Sequence, residues 1–221
     1  MKSFKFEFII VLLLLIVSKT FGQTNLAAES PQYLFKSFSA GNILMKSNKI
    51  LPTVMNYNTV TENIVFEQNG ELFDLTNLDK IDTVYLQDTK FIPIDKSFYE
   101  VIATTPLPLF IQHKGKLSSP RKTIGYGASS AVASTTNISS IESSGSNYNL
   151  PLSNEYIVKV TPLYWLILDG EMVSFSNTKQ LQKLFPKRGK EIKKFIKKEK
   201  LKLNNRDDLV EIIRFCAGDD K

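Results

Sequence analysis

The sequence predicts an α+β fold that is mainly β: an antiparallel sheet, barrel- or sandwich-like, with a C-terminal cap of short helices. Three observations carry that reading. From Ile43 to His113, short β-favouring runs follow one another, each ended by a turn signal. Asn69-Gly70 and Asp169-Gly170 each stand between two such runs, and these dipeptides tolerate the positive φ angles of a two-residue hairpin turn. After Phe175 the apolar residues take helical spacing: Leu181, Leu184 and Phe185, then Ile192, Phe195 and Ile196, then Leu209, Ile212, Ile213 and Cys216.

Taken in order, residues 1–22 have the build of a cleavable export signal. Lys2 and Lys5 precede an apolar segment from Phe8 to Val17, and Thr20-Phe21-Gly22 sets small residues around a cleavage point before Gln23. A spanning helix needs about 20 apolar residues, so this segment is too short to stay as an anchor. No cysteine follows it at the cleavage point, so no lipid attachment is expected. The expected product is periplasmic, outer-membrane-associated or secreted, and not a lipoprotein.

Residues 23–42 read as a loosely tied lead-in, with room for a short helix near Tyr33 to Phe38. Residues 43–175 read as one β domain, with strands expected at 63–67, 71–75, 81–87, 90–94, 98–103, 107–112, 163–168 and 171–175. Softer turns are expected at Ser47-Asn48, Asp88-Thr89 and Gly115. Tyr156, Val158 and Val160 alternate along one face, with Lys159 and Thr161 on the other, whereas 163–168 is continuously apolar and should be covered on both faces. Between the two β portions, residues 118–154 hold eleven serines and few charges. Such composition buries too little apolar surface to offset chain entropy, so it reads as a long loop inserted into one domain. Residues 176–217 form the helical cap, with Asn177 and Asn205 as helix starts, Pro186 as an interruption and Gly218 as a stop.

The chain from Gln23 onward is long enough to bury about 70% of its unfolded surface, so neither disulfide nor metal is needed for folding. Cys216 is the one cysteine, and on its apolar helical stripe it reads as a small buried hydrophobe. One histidine and one cysteine exclude His- or Cys-rich zinc sites, and no carboxylate spacing resembles a calcium loop. No cofactor is implied.

Charge is distributed unevenly. From Lys179 to Lys202 there are eleven basic residues against Glu191 and Glu199, a local excess of nine. The preceding part from Gln23 is slightly acidic, with eleven basic and fourteen acidic residues. Lys187, Arg188, Lys190, Lys193, Lys194, Lys197 and Lys198 are therefore the candidate contacts for an anionic partner. The competing account is a solvated helix face whose apolar side packs inward. Nucleic acid is not expected, because the run lacks interleaved aromatics or a recognisable module.

Gly125, Tyr126 and Gly127, with Tyr148, are candidate contacts in the Ser-rich loop. Gly125-Tyr126-Gly127 lacks the Gly-Lys-Ser/Thr ending of a phosphate loop, and Ala131 stands where a nucleophile elbow needs glycine. Nothing local sets a serine beside His113. Asn137-Ile138-Ser139 matches a glycosylation acceptor in that loop.

Several short pieces resemble a loose group of exported β-rich proteins of unknown function from Gram-negative bacterial envelopes. They are Gly22-Gln23, Asn56-Tyr57-Asn58 with Ile64 and Phe66, Phe91-Ile92-Pro93, Glu100-Val101-Ile102, Gly125-Tyr126-Gly127, and Leu184-Phe185-Pro186 with the Lys-rich helix and Asp207-Asp208-Leu209. The resemblance implies an envelope location and a β core with a helical tail, and brings no catalytic residues. The expected role is non-enzymatic binding or structure, contacting an envelope protein or a surface polymer. Two alternatives stand beside it. One is a hydrolase using carboxylates or His113; the other is an electrostatic binder of anionic membrane surfaces through the basic C-terminal helix.

Overall fold

Turn chemistry sets the topology. Asn69-Gly70 (φ 57° and 82°) and Asp169-Gly170 (φ 54° and 85°) each make the tight hairpin that their positive φ angles permit. The structure, a computed structural model, describes residues 30–118 and 157–218, with the backbone of four short strands between them. The first strands are β1 (Ser39–Met45), β2 (Ile50–Asn58), β3 (Asn63–Gln68) and β4 (Glu71–Asp74). After a short 3-10 turn come β5 (Ile81–Leu86), β6 (Thr89–Ile94), β7 (Ser97–Ala103) and β8 (Leu109–Ser118). The Ser-rich segment carries β9 (Thr123–Ile124), β10 (Ala128–Ser129), β11 (Ser140–Ser143) and β12 (Ser146–Asn149). Then follow β13 (Ile157–Leu168), β14 (Glu171–Phe175), α1 (Thr178–Leu184), α2 (Gly189–Lys198) and α3 (Arg206–Ala217).

The main sheet is open and antiparallel, in the order β11-β12-β4-β3-β2-β1-β5-β6-β7-β8-β13-β14. The mainly-β class with a helical cap is therefore borne out. The segment read as a long loop contributes strands: β12 joins the β4 edge through Tyr148 opposite Phe73, and β9 pairs with β10. Gly125, Tyr126 and Gly127 lie outside the described residues.

One cross-strand row explains where the core sits. Leu51, Ile43, Val84, Phe91, Glu100, Ile111, Tyr164 and Phe175 are successive partners across eight strands. Partners share a face, so this row marks the inner side. The face carries two apolar clusters. Met55, Tyr57, Ile64, Phe91 and Phe98 centre one. The helices cover the other, in which Leu109, Tyr164, Leu166 and Phe175 meet Leu181, Ile192, Leu209, Ile212 and Cys216.

The helices start where short-range chemistry says they should. Asn177 Oδ1 accepts from the Gln180 amide at 3.0 Å while Gln180 Oε1 accepts from the Ser176 amide at 2.7 Å, a reciprocal cap. Asn205 Oδ1 accepts from the Asp208 amide at 3.0 Å, and Gly218 closes α3 at φ 84°.

Three expectations need correction. The described part of the lead-in is tied down rather than loose, and β1 already begins at Ser39. Leu34 donates to Tyr57 O, Thr59 donates to Gln32 O, and Asn56 bonds both the amide and the carbonyl of Phe35. Those extended contacts replace the short helix. Gly115 is not a turn but an interior residue of β8. A Cβ there would stand 2.3 Å from Thr59 Oγ1, because the β2–β3 turn docks against it.

Candidate functional site

β7 and β8 pair at Glu100–Ile111 and part beyond it. The β2–β3 turn enters the gap: Phe98 donates to Glu62 O at 2.9 Å and Gly115 donates to Thr59 O at 2.7 Å. The Tyr57 hydroxyl, fully buried, donates toward Phe98 O (3.2 Å) and His113 O (3.4 Å). Burial, reinforced by Glu62, pushes that hydroxyl far above the usual tyrosine range, so it remains a donor. On the other side, the pairing of β14 with β13 stops at Tyr164–Phe175, two residues short of Pro162. A proline there removes no bond to β14.

A cavity of about 260 Å³ opens at this junction, between the parted strands and the start of α3. Its polar floor is Glu100, 6% exposed and the one charged member of the apolar row. Strand alternation sets Glu100 on the same face as Phe98 and Ile102. Arg206 Nη1, from the first turn of α3, donates to Glu100 Oε1 at 2.5 Å, and His113 Nε2 meets Oε2 at 2.6 Å. Arg206 Nη2 also donates to Val101 O at 3.4 Å. Ile102, Ile111, Pro162, Tyr164, Leu203 and Leu209 make the walls.

The structure thus brings His113, one candidate of the hydrolase alternative, to a carboxylate. One faint local sign pointed to it: an acid in phase with Phe98 and Ile102 on a β-favouring run. Nothing local pointed to Arg206, more than a hundred residues away. Among the described residues lining the cavity there is no serine, threonine or cysteine. Both oxygens of Glu100 already have partners, which leaves the carboxylate poorly placed to activate water. Among the described residues, no cluster of three metal-binding side chains occurs.

The basic candidates form a separate surface. Lys187, Lys190, Lys193, Lys194, Lys197 and Lys198 are exposed, on or just before α2, while Ile192 on the opposite face is fully buried. Lys198 pairs with Glu199 at 2.9 Å. The other five make no ion pair among the described residues. Arg188 differs: it donates to Phe215 O at 2.6 Å, lies over the Phe215 ring at 4.7 Å and reaches Glu191 at 3.4 Å. Of the loop candidates, only the backbone of Tyr148 is described, in β12.

Comparison with protein-family models, curated proteins and solved structures finds no match for this chain. Among the described residues no helix is long and apolar enough to cross a membrane.

Proposed function

We propose that this chain is an exported cell-envelope protein with a non-enzymatic binding role, contacting an acidic surface polymer or the acidic face of an envelope protein through α2. One observation carries the reading: Lys190, Lys193, Lys194 and Lys197 on α2, with Lys187 just before it, stand exposed and without ion-pair partners among the described residues, while the opposite side of the helix is locked into the core. A helix held that way presents its charges at fixed spacing, and the attraction needs no rearrangement of the protein. The hydrolase alternative has the Glu100–His113 contact in its favour, but the occupied carboxylate and the absence of a nucleophile among the described lining residues favour binding.

The test is affinity capture from an envelope fraction with mass spectrometry, comparing the unaltered chain with a Lys193→Glu, Lys194→Glu, Lys197→Glu, Lys198→Glu variant. Loss of the captured partner in the variant, and weakening of capture as salt is raised, are the expected results. Equal capture by both proteins would sink the proposal. Anionic vesicles form a separate arm: retention there but not on polymer or protein would move the assignment to the membrane surface.

A further inference from the structure

We infer that the cavity between β7, β8 and α3 binds a small carboxylic acid with an apolar body. This site is independent of the α2 surface. Across the inner row, Leu51, Ile43, Val84, Phe91, Ile111, Tyr164 and Phe175 are all apolar, and Glu100 alone is charged. Burying an ion in such a face is costly, and an apolar residue of similar volume there is commonly neutral or stabilising. The cluster also lies against open space, since Glu100, His113 and Arg206 all line the cavity.

The unused hydrogen-bonding groups define the ligand. Glu100 contributes little to a ligand, because Oε1 is taken by Arg206 and Oε2 by His113. Its charge is thereby shielded on both sides. Arg206 has five N–H groups; Nη1 and Nη2 use one each, on Glu100 and Val101, and its side chain is 48% exposed. The remaining N–H groups, with the Asn204 amide also on the lining, make a site rich in donors. The complement of a planar guanidinium edge is a carboxylate, which it can hold through two parallel hydrogen bonds. The walls of Ile102, Ile111, Pro162, Leu203 and Leu209 take the apolar remainder. At about 260 Å³ the space is below the range typical of drug-sized ligands, so the acid is small: a branched aliphatic or a single-ring aromatic one.

The test titrates the purified chain with 4-methylpentanoate. His113 is the sole histidine, so its imidazole NMR signals report on the cavity without ambiguity. A saturable shift is expected. 4-Methylpentanamide, which keeps the shape without the charge, and acetate, which keeps the charge without the body, should each bind about tenfold more weakly or worse. Arg206→Gln should weaken the acid by a similar factor. Leu203→Trp, which fills the space without altering the charged groups, should abolish binding. If Arg206→Gln does not fold, as judged by circular dichroism, the amide and Leu203→Trp arms decide. No saturable shift, equal binding of amide and acid, or unchanged binding in Leu203→Trp would each overturn the assignment.

Discussion

At Glu100 the cost of a single charge can be separated from its use. Glu100→Ala leaves His113 facing an apolar wall, while the half-exposed Arg206 can turn to solvent, so the cost should be that of an unsatisfied buried polar group, about 1–3 kcal/mol. Replacing all three together (Glu100→Leu, His113→Leu, Arg206→Met) removes every charge at once and should come out about neutral in urea unfolding. A triple variant as unstable as Glu100→Ala would show the cluster to be a structural clasp. Cys216 supplies a second residue-scale expectation. It is buried in α3, and burial pushes its thiol up to about 12 from an ordinary 9.0, against a smaller lowering by Arg188. The native chain should therefore resist thiol reagents at about pH 8 and react only once unfolded. The sign for stability follows: because the folded value is raised, the contribution is complete below about pH 9. It is lost as pH rises toward 12, where only the unfolded chain has been shedding the proton. Tyr57 adds its own loss at high pH in both proteins, so denaturation midpoints that fall more steeply over this window in the unaltered chain than in Cys216→Ala would confirm it; equal falls would assign the whole loss to other groups, such as Tyr57.

At the scale of elements, α2 and α3 hold each other through Arg188 and two rings. Phe195 and Phe215 stack at 4.0 Å with 4° between planes, and Arg188 closes over Phe215 while donating to its carbonyl. A hydrogen bond from a charged donor is worth roughly 1.5–3 kcal/mol, and a cation near a helix C-terminus adds to it. Arg188→Ala is expected to lower the unfolding midpoint measurably, whereas Lys193→Ala should stay within about 0.5 kcal/mol. Equal effects would mean that Arg188 is one more solvated charge. The helices and hairpins were legible because their signals are local. Asn177 reads its cap three residues on, and Asn69-Gly70 makes its turn from its own φ angles. Gly115 and Glu100 were not legible in the same way. What makes Gly115 obligatory is Thr59, and what makes Glu100 part of a cavity is His113 and Arg206; those contacts depend on register and docking between distant segments.

For the whole molecule, the question is how the inner face of one open sheet supports two separate cores. The β2–β3 turn supplies the joint. It belongs by sequence to the first cluster, yet its carbonyls at Thr59 and Glu62 bond β8 and β7, the strands that carry the sheet onward to the helices. Glu62 adds side-chain contacts to Gln112, to Lys114 at 3.1 Å and to Ser97 at 3.4 Å, on the face opposite the cavity. At the centre, the Tyr57 hydroxyl serves the carbonyls of Phe98 and His113 where no neighbouring strand reaches them. Tyr57→Phe keeps the stacking on Phe91 (5.2 Å) and removes only that donor. It should cost about 1–3 kcal/mol, since two buried carbonyls lose a partner. The loss should concentrate at the joint: amide exchange at Phe98 and Gly115 should quicken relative to Val84 or Leu166, which lie inside the two clusters. Uniform acceleration at all four would mean that the cores already unfold as one unit without help from the turn. Selective acceleration would mean that the seam beneath Glu100 and His113 is the least stable part of the sheet, and that ligand occupancy of the cavity should slow exchange there first.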